Sequence, residues 1–486
     1  MPRITTATPT STSPSPQKSS LVPALNPALK LLGVGVVGFI FYTQFFGGSS
    51  LKNRISKGDR LLIPSLAQSS ARTDRKAGTE AMARKDFAQA EMAFDAARAV
   101  EKNDPEVLIY KNNARAMARA EGNPDASITL AVSVPISTNP NVAQEILRGV
   151  AQAQDEKNAQ DGIGGKLIQI TIADDGNEAN LATRIATAFA DDPQILGVIG
   201  HNASDASLAA APIYEERKLV MISPSSSANR LTNFGAYIFR TVPGTRFMSD
   251  PLAEYAVKTL KSKRIGLCYD AKALDNMSFK DDFVASVVGQ GSEIVDVGCD
   301  IAAPDFNPAE ALSRLAQQNA DSLLIAPHID RLDLAIQLAK ANRRRLPLLS
   351  SATLYTSQIL EGKGMIEDLV LPVLWHPSTN PAFAKRATAY WNGTVNWRTA
   401  TAYDATQALI GAIAMNNPAT RENIQSSLRS GSFSAVGAGG EIRFLSTGDR
   451  SSKSSLVQIK PKGSTYEFAP ILTVSPSPDP SPNPSP

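Results

Sequence analysis

Histidine, cysteine and tryptophan are scarce in this 486-residue chain, at three, two and three residues. Two cysteines, Cys268 and Cys299, exclude a disulfide-framework fold and a thiolate zinc site of the usual kind. Each falls at or just past the end of a predicted strand, so buried free thiols are expected in preference to one bridge in an oxidising compartment. The histidines His201, His328 and His376 also follow predicted strand ends, but they are spread over 175 residues without ligand spacing. They are expected to be hydrogen-bonded cleft or core residues, and no metal is assigned. An excess of one charge is missing too: 49 basic against 46 acidic residues leave +3, too little to argue for nucleic acid. The chain has no Gly-x-Ser-x-Gly elbow, phosphate loop, His-Glu-x-x-His motif or dinucleotide fingerprint after its first predicted core strand. No enzyme and no cofactor are expected.

What is present falls into blocks. Residues 1–27 and 471–486 are rich in Thr, Ser and Pro, cannot bury enough apolar surface to fold, and are expected to be disordered tails. Between them, residues 28–47 form an apolar run interrupted only by Lys30 and Gln44, just long enough to span a bilayer. A cleaved signal peptide competes, but the long preceding tail and the length of the run favour an uncleaved membrane anchor. Lys52, Arg54, Lys57 and Arg60 follow the run; this charge bias mildly opposes an outside carboxyl terminus. After a linker at 48–75, residues 76–120 read as a helical hairpin and a third helix. Gly78, Ala81, Phe87, Ala90, Phe94, Ala97 and Pro105 occupy the small, aromatic and helix-ending positions of a single tetratricopeptide-like unit. A lone unit cannot bury its own faces, so it must pack on the next domain, another copy or a partner.

From Ile128 onward, apolar alternation and helical spacing take turns. Strands are expected at Ile128–Val134, Lys166–Ile172, Ile195–Ile199 and Leu219–Ile222. After Arg240-Thr241-Val242-Pro243 they resume at Arg264–Tyr269, Glu293–Val297, Ser322–Ala326 and Leu346–Leu349. Helical segments separate them, which predicts parallel sheets joined by right-handed crossovers. Around 340 residues of this pattern exceed one comfortable sheet, so two lobes are expected.

Two strands of the first lobe run into loops rich in small hydroxyl residues: Gly200 to Ser204, and Ser223-Pro224-Ser225-Ser226-Ser227. Such loops present N–H groups and hydroxyls at the carboxyl ends of parallel strands, where open α/β sheets bind ligands. One such loop is ordinary helix capping. Two side by side favour a site for a small anion or carboxylate.

The set Gly200-His201 through Ser204, Ile213-Tyr214, Met221-Ile222-Ser223-Pro224 through Leu231-Thr232 and Phe239-Arg240-Thr241 resembles the leucine/isoleucine/valine-binding protein family. Leu147 to Ala151 and Trp397-Arg398-Thr399-Ala400 to Ala405 extend the resemblance to a membrane-anchored branch common in cyanobacteria. The resemblance covers about Ile128 to Lys460. It implies an α/β, two-lobe type I periplasmic-binding-protein fold, with two Rossmann-like parallel-sheet lobes about a hinge. The first lobe is expected at about 128–243 plus 375–440, the second at about 244–374 plus 441–468.

By the same resemblance, Ser204 holds a ligand carboxylate, Ser225 offers its backbone, and Ser227 offers N–H and hydroxyl. The second lobe departs from the pattern: the family's aromatic lid falls near Leu274 or Asp275, its next aromatic position near His328 or Ile329, and its acidic partner for an amino group at Ala352. Asp275 or Asp330 is then the substitute acid and Tyr355 the substitute ring. The departure favours an amide, a urea-like solute or another carboxylate over a standard amino acid. The expected partners are a small amino-acid-like, amide or carboxylate ligand, an ABC permease and the membrane. A sensory or scaffolding receptor signalling through the helical repeat is the alternative.

Overall fold

The computed structural model describes residues 51–63, 71–120, 123–451 and 454–471. The expected tails and the apolar run at 28–47 lie outside these residues. No helix among the described residues is long and apolar enough to cross a membrane. Contacts divide the chain into units Met1–Lys52 and Asn53–Pro486, and the elements below belong to the second.

The chain enters through strand β1 (Ile55–Ser56) and helices α1 (Arg72–Ala83), α2 (Phe87–Val100) and α3 (Pro105–Ala120). The first large sheet then forms from β2 (Ser127–Val134), β3 (Leu167–Asp174), β4 (Ile195–Ile199), β5 (Val220–Ser223) and β6 (Ile238–Arg240), in the order β1-β3-β2-β4-β5-β6. All its pairs are parallel except β1 with β3. Both faces of β3 are buried, which is why it reads as the apolar run Leu-Ile-Gln-Ile-Thr-Ile. Helices α4 (Pro140–Ala159) and α5 (Ser204–Glu216) belong to this lobe.

The second sheet contains β7 (Arg264–Tyr269), β8 (Glu293–Asp300), β9 (Ser322–Ala326), β10 (Leu348–Ser350) and β11 (Val370–Val373), all parallel. Helix α6 (Leu274–Gly289) follows β7. The chain then returns to the first lobe through helix Pro381–Trp391 and α7 (Trp397–Ala414), which packs along α4. Strands β12 (Ala435–Gly437) and β13 (Gly440–Ile442) form a separate hairpin against α7. The passage back into the second sheet is completed by β14 (Ser455–Lys462) and β15 (Thr465–Pro470), giving the order β15-β14-β11-β10-β9-β7-β8. The strand at Gly440–Ile442 thus sits with the first lobe, because it pairs with β12 and not with β14.

Local sequence explains where helices start. Helices at Pro140, Pro308 and Pro381 each follow an asparagine whose side chain accepts a first-turn N–H, with proline at the first helical position. Two close approaches fix the helix packing. A Cβ on Gly78 would lie 2.4 Å from the Phe94 ring, and one on Gly149 would lie 2.2 Å from the Thr399 carbonyl oxygen. The Gly149 contact lets α4 and α7 touch backbone to backbone.

The three-helix segment is joined to the first sheet by amide side chains. Asn113 of α3 accepts the Ile170 N–H and donates to the Ile170 carbonyl, both at 2.8 Å. Asn158 of α4 does the same at Ile168, at 2.8 and 3.0 Å. Within the segment, the fully buried Arg75 pairs with Asp104 and Glu106 at 3.2 Å each. Burial, with Asp104 beside it, raises the Glu106 carboxyl to about 7, against N–H, guanidinium and phenol partners.

Cys268 and Cys299 form a disulfide, overturning the expectation of free thiols. They are register partners across the parallel pair β7–β8, with Cα atoms 4.7 Å apart. Strand adjacency, hidden by 31 residues of sequence separation, brings the sulfurs together.

Candidate functional site

A cavity of about 50 Å³ lies where loops from both lobes meet, several times the roughly 10–15 Å³ that one water needs. Its wall is built at strand carboxyl ends. Asn202 and Ala203 follow β4, Ser225 and Ser227 follow β5, His328 follows β9, Ser351 and Ala352 follow β10, and Leu374 follows β11. Asp275, Asn276 and Phe279 come from the first turns of α6, and Trp397 and Arg398 from the start of α7. This is where parallel α/β sheets leave room for a ligand.

Most hydroxyls of the serine loops hold the loops to one another. Ser223 Oγ donates to the His201 carbonyl at 2.8 Å, and Ser207 and Ser226 share a hydroxyl hydrogen bond of 2.7 Å. Ser225 Oγ donates to the Asn202 carbonyl at 2.9 Å. Ser204 is buried in the first turn of α5, and its Oγ accepts the Ala228 N–H at 3.2 Å. The Ser204 hydroxyl therefore ties the two loops together beside the cavity instead of forming its wall. Arg240, 2% exposed, supports the second loop from behind: Nη1 donates to the Ala228 carbonyl at 2.9 Å, and Nε pairs with Asp449.

Across the cavity, Asp275 Oδ1 accepts the Asn276 N–H at 2.9 Å. Burial raises the Asp275 carboxyl above its ordinary value, His328 opposes the shift and Asp205 adds to it. His328 Nδ1 lies 3.3 Å from Asp330 Oδ2. Burial would depress the imidazole, but the hydrogen bond to Asp330 and the charges of Asp275, Asp330 and Asp270 lift it to about 9. Asp330 is held below its ordinary value because its His328 and Asn177 partners outweigh burial. Asp205 Oδ2 accepts the Leu274 N–H at 3.4 Å, so the lobes already touch at the rim.

Of the residues singled out from sequence, Ser225, Ser227, Asp275 and His328 line one cavity. Tyr355 does not: its ring stacks on Phe468 of β15, centroids 4.2 Å apart, and fills the second lobe's core. Its position just after the cavity loop at Ser351 made it look available, whereas the β15 partner lies more than 100 residues away. His201 is also outside the wall, fully buried between Asp175 (2.7 Å) and Tyr214 (3.1 Å). His376 lies 2.9 Å from the Phe468 carbonyl oxygen.

Sequence reasoning gave no role to Arg398. This residue is 5% exposed, lines the cavity and stacks its guanidinium 4.4 Å from the Trp397 ring centroid. Burial pushes its pKa down to about 10, opposed by Glu145, so it is charged at neutral pH. A signal was present: Asn396 caps α7 by accepting the Arg398 N–H at 2.8 Å, which places a cation in a helix first turn, where the helix dipole disfavours it.

The profile of a family described as periplasmic binding protein matches residues 127–464. The chain is 28% identical over 199 residues to a leucine-specific-binding protein of Salmonella typhimurium, covering 40% of this chain and 52% of that protein. It is 32% identical over 123 residues to the Leu/Ile/Val-binding protein of Escherichia coli K12, covering 25% and 33%. The chain thus spans about half or less of the length of these curated relatives. Among solved structures, a leucine binding protein from Thermotoga maritima superposes with a TM-score of 0.62 at 23% identity, covering 70% of this chain and 97% of that one. A solute-binding protein from Rhodopseudomonas palustris, in complex with 3,4-dihydroxybenzoic acid, gives 0.63 at 16% identity, covering 71% and 96%. These two likenesses establish the shared two-lobe fold.

Proposed function

Since the chain belongs to the periplasmic binding protein family, we propose that it captures a small amino-acid-like, amide or carboxylate solute between its lobes and presents it to an ABC-type importer. One observation carries this reading: Ser225 and Ser227 from one lobe and Asp275 and His328 from the other line a single cavity at strand ends. The names of the relatives, which bind leucine and other branched-chain amino acids, support the solute class.

The proposed mechanism is hinge closure. The chain passes between lobes after β6, after β11 and after β13, so three connections define one hinge. The first lobe would bind solute at its serine loops, the second would close over it, and the closed form alone would engage the permease. The apolar run at 28–47 is proposed to tether the domain on the outer face of the membrane. A sensory partner in place of the permease would use the same closure.

The test is a thermal-shift screen of the detergent-solubilised full chain against amino acids, amides, ureas and small carboxylates. A solute at 100 times its dissociation constant adds about 2.7 kcal/mol of stability. Stabilisation by one class, reduced in Ser227→Ala, is the expected result. No response to any class would refute solute capture.

A further inference from the structure

Fourteen buried side-chain nitrogen or oxygen atoms among the described residues have no hydrogen-bond partner. Four of them belong to the wall of this one cavity: Arg398 Nε, Trp397 Nε1, Asn276 Nδ2 and Ser351 Oγ. Their residues are 5%, 4%, 2% and 5% exposed, so bulk water does not satisfy them. The concentration matters because unpaired buried polar groups are rare and costly, and a cluster of them marks a place where a ligand completes the bonding.

The chemistry of the four is one-sided. Guanidinium Nε, indole Nε1 and amide Nδ2 can only donate, and the serine hydroxyl can donate as well. No hydrogen bond joins the Arg398 guanidinium to any described residue; its contacts are the Trp397 ring and the more distant charge of Glu145. Glu145 is itself engaged by Arg148 and Thr399. A guanidinium packed over an indole ring, buried and without an acceptor, is prepared to donate two hydrogen bonds to one carboxylate.

The acceptor side is poor. Among the described residues, Asp275 is the only carboxylate in the wall; it accepts its own helix N–H and shares the cavity with the His328 imidazolium. Ala352 offers no charge. An ammonium group would meet His328 and Arg398 as like charges, with Asp275 its sole anionic partner. Two cationic side chains against one carboxylate select against a solute that brings its own ammonium group.

We propose that Arg398 is the anchor for the solute's acid group and that the solute is a small carboxylate without an ammonium group, such as a 2-oxo, hydroxy or aromatic acid. This rests on the cavity being a solute site, as proposed above, and it moves the anchoring role from the Ser204 hydroxyl, which does not line the cavity, to the start of α7.

The test is calorimetric titration of the solubilised full chain with matched sets, each a carboxylate, its 2-amino analogue and its primary amide. 4-Methyl-2-oxopentanoate against leucine, and phenylglyoxylate and 4-hydroxyphenylglyoxylate against phenylglycine and 4-hydroxyphenylglycine, each with the primary amide of the acid, are suitable sets. The expected result is binding of at least one carboxylate, with its amino and amide counterparts at least tenfold weaker. Arg398→Gln should lose at least a hundredfold in affinity, with Arg398→Lys recovering part of it, while Trp397→Phe should lose about tenfold, as expected when a charged or donor partner is withdrawn from a desolvated acceptor. An amino acid binding as tightly as its matched carboxylate would overturn the proposal while leaving solute capture intact. Full affinity in a folded Arg398→Gln protein would overturn the anchor. The matched sets on the unaltered protein decide the solute class even if that variant fails to fold, and absence of binding by every compound would refute both readings.

Discussion

His328, on the cavity wall, and Asp330 form an ion pair two residues apart, Nδ1 to Oδ2 at 3.3 Å, with the imidazole 16% exposed. A histidine whose folded pKa is raised, here to about 9, contributes stability that is complete below the unfolded value of about 6.5 and is lost as pH rises through the folded value. Denaturant unfolding is therefore expected to show a fall of about 3 kcal/mol between pH 6.5 and pH 10. His328→Gln should flatten that fall and also move the acid limb, because Asp330 loses the partner that holds its carboxyl low. The lowered pKa of Asp330 acts at the other end: its contribution is present above the ordinary aspartate value and is lost only as pH drops through the folded one.

The Cys268–Cys299 bridge closes a loop of about 31 residues at the edge of the second sheet. A loop of this size is stabilised by about 2–4 kcal/mol relative to the open chain. Reduction with dithiothreitol should lower the midpoint of thermal unfolding, and Cys268→Ser/Cys299→Ser should reproduce the lower value with no further response to reductant. Identical midpoints with and without reductant would show that the bridge does not form.

Gly149 is where α4 touches α7. A methyl group there would overlap the Thr399 carbonyl oxygen and approach the Tyr403 nitrogen to 2.6 Å, and both are backbone atoms that cannot rotate away. Gly149→Ala should cost about 1–3 kcal/mol as overpacking. Because Arg398 precedes Thr399, the same change should weaken any ligand held at the start of α7. Titration of the folded variant measures this second effect separately from stability.

Arg240 is almost fully buried and paired with Asp449, 7% exposed at its side chain. Removing one partner of such a pair leaves an uncompensated charge, so Arg240→Ala should destabilise by about 3–5 kcal/mol. Arg240→Ala combined with Asp449→Ala should recover part of the loss. A double variant no more stable than Arg240→Ala would show that Arg240 acts through its bonds to the Ser226 and Ala228 carbonyls and not through the charge pair.

Much of this fold was legible because parallel strands buried on both faces leave continuous apolar runs, and because their ligand loops follow at fixed places. Ser225 and Ser227 could be placed at a ligand site on that basis, while Asp275 and His328 followed only from the resemblance of the second lobe to the leucine/isoleucine/valine-binding proteins. What failed to show depends on contacts between segments far apart in the chain. The Cys268–Cys299 bridge follows from β7 lying beside β8. Tyr355 is claimed by Phe468, a partner that periodicity cannot reveal. Arg398 escaped notice for a different reason. Its first-turn position is locally unfavourable, and an unfavourable residue signals function only once the surrounding cavity and the missing acceptor are seen.

Asn113 and Asn158, reaching from α3 and α4 to the backbone of β3, each return one donor and one acceptor to the strand in the pattern of a neighbouring chain. With β1 beside Ile172 and Ala173, they leave the outer margin of the first sheet chemically closed. Sheets with open margins recruit further strands, from another copy or an unfolded segment. Here two carboxamides, one from α3 and one from α4, stand in for a neighbouring strand along part of β3. A fragment cut between α3 and β2 would forfeit Asn113 and reopen that margin.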